Sequence, residues 1–531
     1  MMATIKVKRQ KVVLWILLPA AFLIRMYHIN YPPAYSTRPL RSMIIARGYY
    51  YQSLPSIPQW QKDIAVLNSK SQPQGEPTII EHLAYYSYRL AGRENIVIPQ
   101  IFSCIFWIVG AWFLYKIGIM LMRTRAAIFA AAFYLFVPFG IFTSRKFQPD
   151  VLMVMMMLIS IYAQLRFFEN GTVEWFLMAA VLTGLAILIK PMSIFLVLGA
   201  FIALSVNRWG WVRIILQKKF LNFIIIAVLV GCSYYIYGLL ISGWLRVQID
   251  QRIYPHLLAT FPFWKGWLMM IGKGVGWIAF GGAIYGYLLA RGRMKVLLAG
   301  LGTGYVVYGL VFSYHIHTHV YYHLGLIPVV GLALGPVGER IIIRVCKFPA
   351  GRKWIMIIAA AVLLVGAGVV FSNMRYERLR QIDVNLRNKL EMVSNFIGFD
   401  PHDAINIISD FGHAIKTMKE IGDRVNHSDK TIMLSLAYSK SLEYYGNIAG
   451  INWPQRADML LEQMRGGRLI GAQERFEKLC SKIKPEYFII TSREEFNKQE
   501  DLKVLLNGKY PLLIENDDYL IYDLRENKNP I

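Results

Sequence analysis

Residues 1–371 hold 35 Lys and Arg but only nine Asp and Glu, and long apolar runs punctuate the whole stretch. A soluble domain covers itself with charges of both signs. A stretch so apolar and so poor in carboxylates fits a bilayer instead, where a helix of about 18–25 apolar residues satisfies its own backbone. Eleven runs qualify, at 12–27, 97–121, 126–143, 149–168, 174–189, 191–206, 220–243, 266–290, 295–313, 323–338 and 354–371. Residues 372–531 carry 23 basic and 24 acidic residues, the balance of a soluble domain. The expected architecture is a polytopic α-helical membrane domain over 1–371, with about eleven transmembrane helices, followed by a soluble α/β domain over 372–531. The net charge of +25 therefore belongs to the membrane part and is not a surface offered to nucleic acid.

Basic residues in short loops orient such a chain, because positive loops stay in the cytoplasm. With the N-terminus inside, the cytoplasmic segments collect nineteen basic residues, from Lys6 to Lys353, against Glu169, Glu174 and Glu339. This predicts a multi-pass protein of the cell membrane (the inner, cytoplasmic one) with an extracytoplasmic C-terminal domain. The first run follows basic residues as a signal peptide does, but no small-x-small cleavage site follows, so it reads as a span. Cys104, Cys232, Cys346 and Cys480 are too scattered for a disulfide framework. The GxxxxGK[ST] loop expected of an ATP-driven pump is absent.

Two segments are polar enough to fold outside the bilayer. Residues 28–96, the first outer loop, contain amphipathic pieces at 39–51 and 77–91 suited to an interface. In the C-terminal domain, 430–437, 485–491 and 518–524 read as strands and 439–445 and 471–483 as helices. That alternation, without a glycine-rich phosphate loop, reads as a lid or recognition domain.

The shortage of acids narrows the chemistry. A proton transfer on the outer side must use Asp63, Glu76, Glu81, Glu94, Asp150 or Asp250, or an acid of the C-terminal domain. Glu76 precedes Pro77, so it stands at a turn or helix start; there it acts as a base, binds a cation, or caps the helix. Asp150 follows Pro149 at the outer end of a span, a good helix start. Arg145 and Lys146 just before it would pair with Asp150 or bind an anionic head group. Arg38, Arg41 and Arg47 lie outside against the positive-inside trend, where they bind phosphate or snorkel to the interface. His315, His317, His319 and His323 crowd into eleven residues, 313–323. In an extended segment the first three would share a face, but with no acid beside them contact with a polar substrate is favoured over a metal.

Several of these pieces recur together elsewhere. Thr37-Arg38 through Ala46-Arg47-Gly48-Tyr49-Tyr50, Gly75-Glu76-Pro77, Ser144-Arg145-Lys146-Phe147-Gln148-Pro149-Asp150, Lys190-Pro191 and His319-Val320-Tyr321-Tyr322-His323 stand in this order over most of 12–340. The ordered set resembles the GT-C type of polyprenyl-phosphate-dependent membrane glycosyltransferase, of the protein-mannosyltransferase-like and aminoarabinose-transferase-like kinds. The resemblance implies inverting transfer of a sugar from a polyprenyl-phosphate carrier to a hydroxyl on a glycan, lipid or protein, at the outer membrane face. It implies a carboxylate base, for which this sequence offers Glu76 first and Asp150 second, with Arg38, Arg41, Arg47, Arg145, Lys146, Lys190, His319, Tyr322 and His323 holding the lipid phosphate and the sugar. No cofactor is demanded, no protein-bound metal is assigned, and a divalent metal requirement is left open.

One departure matters. Members of this type usually carry an Asp or Asp-Glu early in the first outer loop, and Tyr31-Pro32-Pro33-Ala34-Tyr35-Ser36-Thr37-Arg38 is acid-free. Either another carboxylate serves, or activity is altered. The competing functions are a flippase for an anionic lipid-linked precursor and a catalytically silent lipid-binding paralogue. Transporters tend to place helix breaks and ionisable groups at mid-membrane in matching repeats; here no repeat is evident and the acids lie near helix ends.

Overall fold

In a computed structural model, the structure describes residues 2–73, 75–250, 252–347, 394–399, 411–464 and 467–526. The chain separates into two compact units: residues 1–30, 74–79 and 97–409 form one, and residues 31–73, 80–96 and 410–531 the other.

The first unit is helical. It contains α1 (Met2–Met26), α5 (Val97–Leu121), α6 (Thr124–Phe136), α7 (Pro138–Thr143), α8 (Pro149–Asn170), α9 (Val173–Ile189) and α10 (Ser193–Trp209). There follow α11 (Lys218–Leu240), α12 (Trp244–Asp250), α13 (Phe261–Val275), α14 (Trp277–Leu289), α15 (Gly292–Val311), α16 (Ser313–Thr318) and α17 (Leu326–Cys346). The segments α2 (Thr37–Gln52), α3 (Gln59–Lys70) and α4 (Ile79–Ala91) lie between α1 and α5. Ten of the eleven apolar runs coincide with these helices, and the run 354–371 lies outside the described residues.

The protein is thus a multi-pass membrane protein, although length alone does not reproduce a count of eleven. Among the described residues five helices are long and apolar enough to cross a bilayer, or six with the bent pair α13–α14, and four shorter apolar helices accompany them. The run 266–290, expected as one span, breaks at Gly276 with a 91° bend. Gly276 has φ +83°, and a Cβ there would lie 2.7–2.8 Å from backbone atoms of Phe396, Ile397 and Gly398. Only glycine admits so close a backbone, and the same segment accepts the Phe139 N–H on the Gly398 carbonyl at 2.9 Å.

Helices α8 and α9 make an antiparallel hairpin whose turn is Gly171, in the left-handed region at φ +72°. Its inner face is joined by polar side chains: Ser160 and Thr183 hydroxyls are 3.1 Å apart, and Gln164 Nε2 donates to Thr183 Oγ1 and to the Val197 carbonyl on α10, both at 3.1 Å. Hydrogen bonds between spans are favoured where lipid offers no partner. They fix the register of α8 against α9, which decides what meets at the far end of the hairpin.

The second unit joins α2, α3 and α4 to the C-terminal domain. That domain comprises α18 (Gly412–Arg424), β1 (Thr431–Leu434), α19 (Lys440–Tyr445), β2 (Gly450–Asn452), α20 (Arg456–Met464), α21 (Ala472–Cys480), β3 (Tyr487–Ile490), α22 (Arg493–Asn497), α23 (Glu500–Lys509), β4 (Leu512–Glu515) and β5 (Leu520–Asp523). The sheet runs β2-β1-β3-β5-β4, with β1 parallel to β2 and β3, and β5 antiparallel to β3 and β4. Ile432, Leu434, Phe488, Ile490, Leu520 and Tyr522 from the strands pack with Trp453, Phe476 and Leu502 into one core. The three expected strands are β1, β3 and β5; β2 and β4 are additional.

The contacts do not follow a division at residue 371, since the segment 31–96 folds largely with the C-terminal domain. Arg47 on α2 sits 3.0 Å from the Glu94 carboxylate, lies 3.5 Å over the Tyr444 ring and donates to the Tyr444 carbonyl. The Tyr444 hydroxyl in turn donates to Glu94. Asn68 donates to the Ile448 carbonyl at 2.9 Å, Gln72 to Glu443 at 3.1 Å and the Tyr445 hydroxyl to the Pro33 carbonyl at 2.8 Å. Removing one partner of a fully buried ion pair strands the other charge at a cost of about 3–5 kcal/mol, and this part-buried pair falls below that. Arg47→Met is therefore expected to lower the thermal midpoint of the purified protein, with Arg47→Met/Glu94→Gln recovering part of the loss.

Candidate active site

The α8–α9 hairpin brings two ionisable residues together. Asp150 stands in the first turn of α8, after Pro149, and Lys190 caps the end of α9 before Pro191. Each lies about twenty residues from Gly171, so antiparallel packing places them side by side. Lys190 Nζ pairs with Asp150 Oδ1, and their side chains are 5% and 2% exposed. Two charges buried at the end of an apolar hairpin are expensive, and such groups in membrane proteins are functional by default.

The surroundings support that view. The ammonium lies 5.3 and 5.5 Å from the ring centroids of Tyr321 and Tyr322, in cation–π range. Tyr322 stacks on Tyr308 at 6.2 Å and on His315 at 4.9 Å. Asp150, Lys190, Ser193, Tyr308, Tyr321 and Tyr322 line a cavity of about 20 Å³, room for one water or hydroxyl. Among the described residues, neither Asp150 Oδ2 nor Ser193 Oγ, both buried there, has a hydrogen-bond partner. A buried carboxylate oxygen with no donor is ready to accept one from a ligand.

Glu76 belongs to the same helical unit, on the short segment entering α4, and is half-buried. Its charge acts on the Tyr235 hydroxyl, which donates to the Leu188 carbonyl at 2.9 Å, two residues before Lys190. The two carboxylates thus share one end of that unit.

The basic residues distribute differently from expectation. Of the two roles open to Arg145 and Lys146, pairing with Asp150 or binding an anionic head group, the first falls to Lys190. Arg145 is buried and donates to the Tyr27 carbonyl, while half-buried Lys146 remains nearby in the 144–148 turn. Arg25, near the end of α1, is fully buried and donates to Ser144 Oγ (2.6 Å) and to the carbonyls of Ala21 and Leu135 (both 2.8 Å). Arg47 is engaged by Glu94 and Tyr444, a structural role in place of phosphate binding. Arg38 and Arg41 stand on α2 in the second unit, and Arg41 donates to the Pro73 carbonyl. Of the other acids, Glu81 accepts from Ser42 at 2.7 Å and Asp63 from Gln59 at 2.7 Å.

The histidine segment is helical, not extended, so His315, His317 and His319 do not share one face as they would in a strand. His315 and His319 come together one turn apart, at 5.1 Å, while His317 Nδ1 lies 2.7 Å from the Ser313 carbonyl. His323 is wholly buried: Nε2 donates to the Ile316 carbonyl at 2.8 Å, so Nδ1 accepts from the Tyr305 hydroxyl at 2.7 Å. Tyr305 in turn accepts from Trp267 Nε1 at 2.8 Å. With both nitrogens engaged, His323 braces the tyrosine wall instead of reaching substrate. Among the described residues no three His, Cys, Asp or Glu side chains gather as a metal set.

Burial, with the neighbouring His317, pushes His319 down to about 4. The unfolded chain takes up this proton first as pH falls below 6.5, so the folded state loses stability from there towards pH 4. The thermal midpoint is expected to fall over that window, and less steeply in His319→Phe.

Comparisons with known proteins bear on the fold and on part of the chain. The profile of the dolichyl-phosphate-mannose-protein mannosyltransferase family matches residues 76–237, which begin at Glu76 and include Arg145, Lys146, Asp150 and Lys190. The crystal structure of ArnT from Cupriavidus metallidurans bound to undecaprenyl phosphate is similar with a TM-score of 0.57 at 12% identity, covering 96% of this chain and 97% of that one. Its apo form gives 0.53 at 13% identity and covers 98% of each chain. The chain has a GT-C-type fold. Fold and family match together point to a membrane glycosyltransferase, similar to the protein-mannosyltransferase family. No curated protein sequence matches the chain.

Proposed function

We propose that this GT-C-type protein transfers a sugar from a polyprenyl-phosphate carrier to a hydroxyl acceptor, with inversion, at the extracytoplasmic face. The observation that carries the proposal is the buried Asp150–Lys190 pair with its open carboxylate oxygen, in the end of the helical unit that also holds Glu76. The matched family acts, by its name, with dolichyl-phosphate-mannose on protein, and the ArnT structure holds undecaprenyl phosphate. Nineteen basic residues on one set of loops support a cytoplasmic N-terminus, which sets this end of the unit outside.

Each residue has a physical task in that reaction. Glu76 takes the proton of the acceptor hydroxyl as it attacks the sugar carbon, because half of Asp150 is already committed to Lys190. Asp150 Oδ2 accepts a hydroxyl of the bound sugar and so fixes its orientation. The phosphate that departs on the lipid gathers negative charge, and Lys190, with Lys146 just before α8, stabilises it. Apolar grooves of about 700 Å³ between α10 and α15, and about 580 Å³ among α13, α14, α15 and α17, offer surface for an isoprenoid chain.

The test is turnover of purified protein in lipid nanodiscs with polyprenyl-phosphate hexoses and pentoses. Release of polyprenyl phosphate together with a glycosylated acceptor supports the proposal. Movement of the lipid between leaflets without a covalent product refutes it in favour of transport. Donor binding without turnover on any acceptor refutes it in favour of a silent paralogue, the outcome that the acid-free Tyr31–Arg38 segment would explain.

A further inference from the structure

The C-terminal domain carries a second site. Strands β1, β2 and β3 are parallel, and the chain leaves β1 towards β2 on one side but leaves β3 towards β4 and β5 on the other. The carboxyl ends of β1 and β3 therefore form a topological switch point, the place where open α/β sheets bind ligands. The Thr491 hydroxyl donates to Ser435 Oγ at 2.7 Å across that point, and Gln455 Nε2 donates to the Ser435 carbonyl at 3.3 Å.

Directly after β1 the backbone does something unusual. Ala437, Tyr438 and Ser439 take φ of +52°, +52° and +62°, three successive residues in the left-handed region and none of them glycine. Such strain persists where the surrounding structure holds it for a purpose, commonly at ligand sites. Here it projects the Tyr438 side chain, 51% exposed, and sets its hydroxyl 3.0 Å from Asp458 Oδ1. Behind it, Ser439 Oγ donates to Asn452 Oδ1 at 2.7 Å.

We propose that this switch point binds a neutral oligosaccharide. An exposed tyrosine offers an apolar face to sugar C–H groups, while the Asp458 carboxylate, the Gln455 amide and the Thr491 hydroxyl, all part-exposed, supply directional hydrogen bonds for hydroxyl groups. The charge that faces the Tyr438 hydroxyl is the Asp458 carboxylate, which favours a neutral ligand over an anion such as a nucleotide or lipid phosphate, and Arg493 beside Thr491 is paired with Glu515 at 3.6 Å. Lys440 close by is paired with Glu443 at 2.7 Å. The binding assignment stands on this domain alone; that the oligosaccharide is the acceptor rests on the proposed transfer.

Saturation-transfer NMR on the full chain in nanodiscs, with neutral α- and β-linked gluco- and manno-hexasaccharides as probes, tests the site. At least one hexasaccharide is expected to give signal, falling tenfold or more in Tyr438→Ala and also falling in Asp458→Asn, with binding of polyprenyl phosphate unchanged. Tyr438 is exposed, so its variant keeps the fold, and Asp458→Asn serves as an isosteric second probe. No signal from any hexasaccharide, or full signal in the Tyr438→Ala/Asp458→Asn double variant, overturns the site. Hexasaccharide binding by a protein that transfers no sugar upholds the site and refutes the transfer; sugar transfer without such binding does the reverse.

Discussion

Glu76→Gln is expected to reduce sugar transfer by about 10²–10⁴-fold, the usual contribution of a positioned base. The change keeps the shape and hydrogen-bonding capacity of the side chain but removes its basicity. Glu76 is half-buried on the short segment that enters α4, and an isosteric amide fills the same space there. Donor binding and thermal midpoint should therefore stay near those of the parent protein. Full turnover in Glu76→Gln, together with an inactive Asp150→Asn, would move the base to Asp150.

Lys190→Met has a different signature. It leaves the Asp150 carboxylate, 2% exposed, without its counter-charge, which costs about 3–5 kcal/mol. A marked fall in thermal midpoint is expected along with loss of transfer. The double variant Asp150→Asn/Lys190→Met removes both charges and should recover most of the stability while remaining inactive. That split separates a site that needs its charges from a hairpin that merely tolerates them. Equal stability of Lys190→Met and the parent would show that the pair is not held as described.

Local sequence pattern reveals much of this protein. The start of α8 at Pro149-Asp150 and its end at Gly171 follow from the residues themselves, as do β1, β3 and β5. Partners distant in sequence are the harder part. Asp150 stands beside Arg145 and Lys146 in the chain, yet the antiparallel hairpin gives it Lys190, forty residues away. The clue was present in the two near-equal arms around Gly171. Arg47 reads as a spare cation until Glu94 and Tyr444, far along the chain, close on it. The bend at Gly276 depends on residues 396–398 approaching its backbone, and no local period carries that information. The short β2 and the exposed edge strand β4 lack the apolar alternation that marks a strand. Histidine spacing implied a shared face only for an extended chain; helical backbone instead makes His323 a brace within the tyrosine wall.

Function follows the same division. The carboxylate shortage already limits the chemistry to a handful of acids, and among the outer acids whose side chains are described the helical unit offers Glu76 and the Asp150–Lys190 pair. The acid missing from Tyr31–Arg38 raises the demand on those two.

Mass spectrometry of lipid retained by purified Glu76→Gln protein tests the central claim most directly. With the base removed, the donor should bind and persist, giving a polyprenyl-phosphate species that carries one sugar. Ordinary bilayer phospholipid alone, with no polyprenyl phosphate in any form, would contradict the account.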